Sequence, residues 1–560
     1  MYNSICIAQT VKELRFLLSR LNDKILIVPL DLEVQVFCIK NKLKYLDPKN
    51  YLDATFHKKA IEESEKLMIN TKFENLNYNS HLIIAETFVR FRFNSIYFLK
   101  SLVEKIIKKE NINKIFLSGW NRYESEYSLD NYYATEIIKS FFDKRKIFVL
   151  SKENLKKKKS IFQIANIRNI SLNKNKKNIL ISNLGYNLFR FIINFRRKYN
   201  IIVPECDKIN FFKKMILKYF FNVSFLSFKY EIANSTKILS PKIDIRYNNK
   251  KIKSLLIKRF NQEINNLINL KLKSLAIDEM FKKIDFFLVI SHNVRGENGY
   301  YLEKAHELRI NTICVPHGTV SKAFNKYDKI YKKIIADSVI FKHTKFIAAQ
   351  SKITKNYLNK NQKLKNKILK RGNFIFAEIT KKNKIQKKML FAVTLKKFFN
   401  IQFLGVETFY EFMDNLKFLN NFSKTKKIEI QVNLHPAAKE SLNDFKILFP
   451  HLKFNNERID DALKKIDMTI SFSSTVIEDS LCSNIPVILF DRWKRYQHCE
   501  AQKDYSRKNS PIYYVNQEKN LISCINSIYN SKRISYKKYT YEGNFNSNIA
   551  KFINSIEKLK

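Results

Sequence analysis

Residues 428–491 set the tightest limit on what this chain can fold into. Ile428–Leu434 (IEIQVNL) is a short apolar run that stops at His435-Pro436, and Met468–Phe472 (MTISF) stops at Ser473-Ser474-Thr475. A short helical segment carrying Glu478 follows, and Pro486–Asp491 (PVILFD) supplies the next apolar run. Strand, polar stop, helix, strand in that order argues for a parallel α/β sheet. In an open sheet of that kind ligands bind beyond the carboxyl ends of the strands, where these polar stops fall. A helix that starts there offers unpaired N–H groups to a phosphate. This part of the chain is therefore expected to hold a phosphorylated small molecule, a nucleotide in the first instance.

The same alternation runs through the preceding residues. Lys24–Pro29, Lys114–Ser118, Lys146–Leu150, Asn178–Ser182, Asp285–Ser291 and Thr312–Val315 read as strands. Helical stretches are expected near 33–43, 134–143 and 300–308. A second alternating block begins near Lys345, and residues 520–560 read as two helices with a polar loop. The fold class expected is α/β, with two Rossmann-like domains whose parallel sheets face a central cleft. Residues 1–340 would form the first domain and 341–560 the second. At 560 residues the chain has room for both.

Composition narrows the partners. No apolar run reaches the roughly 18–20 residues of a membrane-spanning helix, and no secretory leader pattern opens the chain. The seven cysteines are scattered without a C-x-x-C pair, which argues against a disulfide framework or a zinc site. The formal charge is +52. Part of it follows from a bias toward Lys, Asn, Ile, Phe and Tyr, all with A/T-rich codons. The same bias leaves only 8 Gly, where average usage predicts about 39. Lysines are spread along the whole chain rather than clustered with aromatics, so nucleic acid is not the expected partner. A surface this basic would be drawn to the anionic inner face of a membrane, which suits a cytoplasmic protein peripheral to it.

Where Gly and Pro are scarce, those that remain mark places the backbone needs them. Val315-Pro316-His317-Gly318-Thr319 follows a strand: Gly318 permits close approach of a ligand, Thr319 offers a cap to the next helix, and His317 would point into whatever the sheet edge faces. His435-Pro436 stands at the matching position of the second block, where an imidazole suits a phosphate oxygen or a leaving group gaining charge. Ser473, Ser474 and Thr475 supply more hydroxyls than one cap needs. Glu478 either accepts from ribose or sugar hydroxyls or offsets the helix dipole. Ser291–Gly299 gathers His292, Arg295, Gly296, Glu297 and Gly299 beyond another strand. Glu297 is a candidate general base, as is Asp31, which ends the first predicted strand. No essential metal and no cofactor is expected.

His317-Gly318-Thr319, His435-Pro436, and Ser473-Ser474-Thr475 with Glu478 before Pro486-Val487-Ile488 together resemble the GT-B glycosyltransferases of bacterial surface polysaccharides. The nearest likenesses are to capsule Kdo transferases, bacterial polysialyltransferases and teichoic-acid glycerophosphotransferases. The resemblance covers roughly residues 285–491, with Arg371-Gly372-Asn373 similar to the turn that opens the second domain in such enzymes. It implies a nucleotide-sugar donor, CMP-activated by preference, held by His435, Pro436, Ser473, Ser474, Thr475 and Glu478. His317 would face it across the cleft, and a lipid-linked or oligosaccharide acceptor of capsule or lipopolysaccharide would enter from the first domain. Two alternatives keep the fold: a nucleotide-sugar epimerase and a CDP-glycerol-type glycerophosphotransferase.

Overall fold

The computed structural model describes residues 2–21, 24–119, 131–150, 163–167, 172–183, 188–204, 211–226, 228–232, 239–316, 318–369, 376, 379, 388–392, 409–434, 441–541 and 545–558. Its strands form three parallel sheets and two short antiparallel ribbons. The first sheet comprises β1 (Ser4–Ala8), β2 (Leu26–Pro29), β4 (Lys114–Leu117) and β5 (Ile147–Val149), in the order β2-β1-β4-β5. The ribbons pair β3 (Thr71–Glu74) with β11 (Lys242–Ile245) and β6 (Gln163–Ile167) with β10 (Phe228–Ile232).

The second sheet holds β7 (Lys177–Ile181), β8 (Tyr199–Pro204), β9 (Val223–Leu226), β12 (Phe286–Ser291), β13 (Asn311–Cys314), β14 (Phe346–Ala348) and β15 (Ile368–Leu369). Their order is β15-β14-β13-β12-β7-β8-β9. The third holds β16 (Lys388–Ala392), β17 (Glu429–Asn433), β18 (Lys453–Asn455), β19 (Met468–Ser471), β20 (Val487–Phe490) and β21 (Ile512–Val515), ordered β18-β17-β16-β19-β20-β21. In each case the chain starts at a central strand, winds outward one way, returns to the centre and winds outward the other way. That is the doubly wound Rossmann order, and each sheet has one switch point: β7/β12 in the second sheet, β16/β19 in the third. The chain is thus α/β, with two Rossmann-like halves. The strands at 346–348 and 368–369, which open the second predicted block, add to the seven-stranded sheet.

These strands form because both faces are covered. Ile179, Ile181, Ile201, Leu288, Ile290 and Ile313 are wholly buried, as continuous β-branched and Leu runs in a parallel sheet require. The last helix, Phe545–Glu557, crosses back to the seven-stranded half. Phe552 and Ile553 join the core of Ile192 and Phe195 there, and Lys198 pairs with Glu557.

The four-stranded unit touches both halves. Its core runs on into that of the six-stranded sheet, so Ile5, Val28 and Phe98 share a cluster with Phe391, Tyr410 and Ile430. Phe98 stacks on Tyr410 at 5.3 Å and His57 on Trp493 at 5.1 Å between ring centres. On the other side, helix Asn79–Glu110 meets helix Gly296–Glu307 of the seven-stranded half. There Glu303 accepts from the Asn79 and Ser80 N–H groups, the former at 2.8 Å, and the Tyr78 ring sits edge-on to Tyr300.

Candidate active site

The switch point of the six-stranded sheet places Ser473–Thr475. β19 ends at Ser471, whose Oγ donates to the Ala392 carbonyl of β16 at 2.9 Å. The chain then turns into the short helix Val476–Cys482. Ser474 is buried and its Oγ accepts from the Val476 N–H at 3.3 Å, so one of the three hydroxyls serves the turn. Thr475 occupies the cap position without a side-chain cap bond.

Glu478 is 1% exposed. A carboxylate that merely offsets a helix dipole works as well at the surface, and burying one costs free energy unless it is partnered. Its Oε1 lies 2.8 Å from His498 Nε2, and His498 is 3% exposed. The other carboxylate oxygen and His498 Nδ1 are buried and have no hydrogen-bond partner among the described residues. Buried polar atoms without a protein partner are uncommon, and each end of this hydrogen-bonded couple carries one.

His498 stands on a stiff loop beyond β20. Asp491 accepts from the Arg495 and Tyr496 N–H groups at 3.0 and 3.2 Å and from the Tyr514 hydroxyl at 2.9 Å. Burial pushes the Asp491 carboxyl up against these bonds. Arg495 is fully buried, pairs with Glu411, and lies over the Tyr331 ring at 4.9 Å and the Phe472 ring at 5.5 Å.

The seven-stranded half reaches this loop directly. Ser321 Oγ donates to the His498 carbonyl. Lys332 Nζ donates to the Gln497 carbonyl at 2.7 Å and the Lys322 carbonyl at 2.6 Å, with Asp328 at 3.5 Å. Burial pulls the Lys332 amine down to about 8, opposed by Asp328. Segment 318–322, which follows β13, therefore abuts the loop that carries Glu478's partner. Thr319 within it is buried with its Oγ1 unpartnered. It caps no helix, a correction to the sequence expectation: the next helix starts at Lys326, and Asn325 caps it through a reciprocal box with Asp328. The intervening residues run without helix because that box fixes the start six residues later. A Cβ on Gly318 would meet nothing within 4 Å among the described residues.

At the other switch point, Ser182 Oγ donates to Ser291 Oγ at 2.8 Å, which donates to the Asn293 carbonyl at 3.0 Å. His292 is buried, with Nε2 2.9 Å from Asn293 Nδ2. The Arg295 N–H donates to Asn293 Oδ1 at 3.1 Å and opens helix Gly296–Glu307. Both Glu297 oxygens are engaged, one by the Tyr301 hydroxyl at 2.8 Å and one by Lys273 at 3.4 Å. Asp31 caps helix Leu32–Lys40 in the four-stranded unit, accepting from the Glu33 N–H at 3.3 Å. His317, His435, Pro436 and the 371–373 turn lie outside the described residues.

The structure thus brings Ser474, Thr475 and Glu478 together with the 318–321 segment through His498, a residue the sequence reading missed. Its signal was present: it is one of nine histidines and lies in a loop beyond a predicted strand. Nothing in the sequence pairs it with an acid twenty residues earlier.

No protein-family model and no curated protein matches the chain. Solved structures with a similar fold include the UDP-GlcNAc 2-epimerase from Methanocaldococcus jannaschii, at 13% identity and a TM-score of 0.38, covering 68% of this chain and 99% of that one. The UDP-GlcNAc 2-epimerase from Neisseria meningitidis bound to UDP-GlcNAc gives 10% identity, a TM-score of 0.38, and coverage of 68% and 98%. A UDP-forming α,α-trehalose-phosphate synthase from Burkholderia xenovorans gives 8% identity, a TM-score of 0.36, and coverage of 69% and 99%.

Proposed function

We propose that this chain transfers a sugar from a nucleotide-activated donor to a saccharide acceptor of the bacterial surface. The observation that carries the reading is the Glu478–His498 couple beside the β16/β19 switch point. Among the described residues one carboxylate oxygen and one ring nitrogen of the couple have no partner, and the seven-stranded half meets it through Ser321. A ribose or sugar diol supplies the donors Glu478 Oε2 lacks, and a phosphate belongs where strand meets helix at Ser473–Thr475. In this reading the donor is a CMP-sugar, His435 and Pro436 line the phosphate site, and His317 with Gly318 and Thr319 faces it. Glu297, Asp31, His292 and Arg295 are candidates on the acceptor side, lipid-linked or oligosaccharide. A free base requires Glu297 to release Tyr301 or Lys273.

Thermal denaturation against CMP, CDP and UDP tests the donor. CMP should raise the melting temperature most, and Glu478→Gln should abolish the shift without lowering the melting temperature of the ligand-free chain. No shift with any nucleotide, or an undiminished shift in the variant, would remove the reading. Product formation that needs no acceptor would favour the epimerase alternative.

A further inference from the structure

Helix Phe211–Phe221 (FFKKMILKYFF) links β8 to the edge strand β9, and its apolar side faces outward. Phe211, Phe212, Tyr219 and Phe220 are each more than 70% exposed, and Met215 and Ile216 are exposed as well. Elsewhere among the described residues exposed large apolar side chains are scattered singly, which is ordinary. Six on one helix is not. At about 100° per residue the six occupy one unbroken half of the helix circumference. Lys213 and Lys218, both exposed, stand at its two borders. The opposite side holds Leu217, which is buried and anchors the helix to the sheet. Phe221 lies there too, under the Arg196 guanidinium at 5.2 Å. The helix contains no acidic residue.

We propose that this helix lies in the plane of an anionic lipid bilayer, its Phe, Met and Ile side chains among the acyl chains and its lysines at the phosphates. The helix has 11 residues, about 16 Å at 1.5 Å per residue. That is half the thickness of a hydrocarbon core, so it cannot cross and must lie in the interface. Tyr219 suits the headgroup level, where an amphipathic ring keeps its hydroxyl wet. Lys213 and Lys218 flank the apolar arc where long side chains reach back to the headgroups. A second copy of the chain is the poorer occupant, since pairing two such helices would set lysine against lysine and the helix itself carries no acid. The proposal goes beyond the transferase reading and stands whether or not that reading holds.

Co-sedimentation of the full chain with vesicles tests it, using phosphatidylcholine alone and equal parts phosphatidylcholine and phosphatidylglycerol. The chain should sediment with the anionic vesicles and stay in solution with the neutral ones. Phe212→Ser combined with Phe220→Ser should lower the bound fraction roughly tenfold with an unchanged melting temperature, since both side chains are exposed. Lys424→Glu combined with Lys426→Glu, at the end of a helix in the six-stranded half, should bind as the parent does. Failure to sediment, equal binding to neutral vesicles, or unimpaired binding by the double Phe variant would overturn the proposal. Self-association relieved by the Phe variant without vesicle binding would do the same and assign the face to a second copy.

Discussion

Glu478 is buried where the helix beyond β19 meets the 491–500 loop, and His498 is its hydrogen-bond partner there. His498→Ala should therefore act on both folding and binding. Removing one partner of a buried charged hydrogen bond costs about 1–3 kcal/mol of stability, readable as a lower urea midpoint. His498→Gln, which can still donate to Glu478, should recover most of that loss while leaving nucleotide binding weakened. A full recovery of both would make His498 purely structural. Residues of this kind show where sequence reading stops. Ser473–Thr475 and Glu478 were legible because strand ends can be read from apolar runs, and a sheet edge gathers what those ends carry. The Glu478 partner was not, since the loop between β20 and β21 has no period that fixes its path. The engagement of Glu297 by Tyr301 is an i,i+4 contact and was in principle readable, yet the loop's other polar residues drew the eye.

Two glycines separate packing from function at the scale of a single element. Gly299 lies in helix Gly296–Glu307, where a Cβ would stand 2.2 Å from the Val294 carbonyl oxygen and 2.7 Å from Ser80 Cβ. Helix propensity alone would credit Gly299→Ala with about 0.5–1 kcal/mol. The backbone contact reverses the sign, because the carbonyl cannot move without shifting the helix against Asn79–Glu110. A net loss of about 1–3 kcal/mol is expected, measurable by urea denaturation. Gly318→Ala has open space around it among the described residues and should leave the stability from urea denaturation within about 0.5 kcal/mol of the parent. In the two Rossmann-like halves β7, β12, β13, β14, β16, β17, β19 and β20 were legible as continuous apolar runs, whereas β8, β9, β15, β18 and β21 were not among the expected strands. The topology was legible only as a class. That β14 and β15 close the seven-stranded sheet depends on their pairing with β13 and each other, and strand pairing leaves no mark in a local pattern.

Across the whole molecule, the seam between the four-stranded unit and the six-stranded half holds a pH-dependent weakness. His57 is buried against Trp493 and Tyr410, and neither ring nitrogen has a hydrogen-bond partner among the described residues. Burial, with the Arg495 and Lys105 charges, pulls its imidazole down to about 3. The unfolded chain protonates this ring near 6.5 while the folded chain does not, so the stability present above 6.5 is lost as pH falls toward 3. The slope is about 1.4 kcal/mol per pH unit. Buried His81, pulled down to about 4, adds to it. His57→Phe should hold its neutral-pH stability and lose about 2 kcal/mol less than the parent between pH 7 and pH 5. Parallel urea titrations at the two pH values decide this, and identical losses would place the acid sensitivity elsewhere.

The four-stranded unit is fastened to both Rossmann-like halves at once, by ring stacking at Tyr410 and Trp493 and by the Glu303 bonds at Ser80. A hinge between two lobes works when the lobes share nothing but the hinge. Here a third body straddles them like a keystone, so wide rocking would have to shear one of those seams. Any relative movement of the two halves then falls to local rearrangement beside these seams.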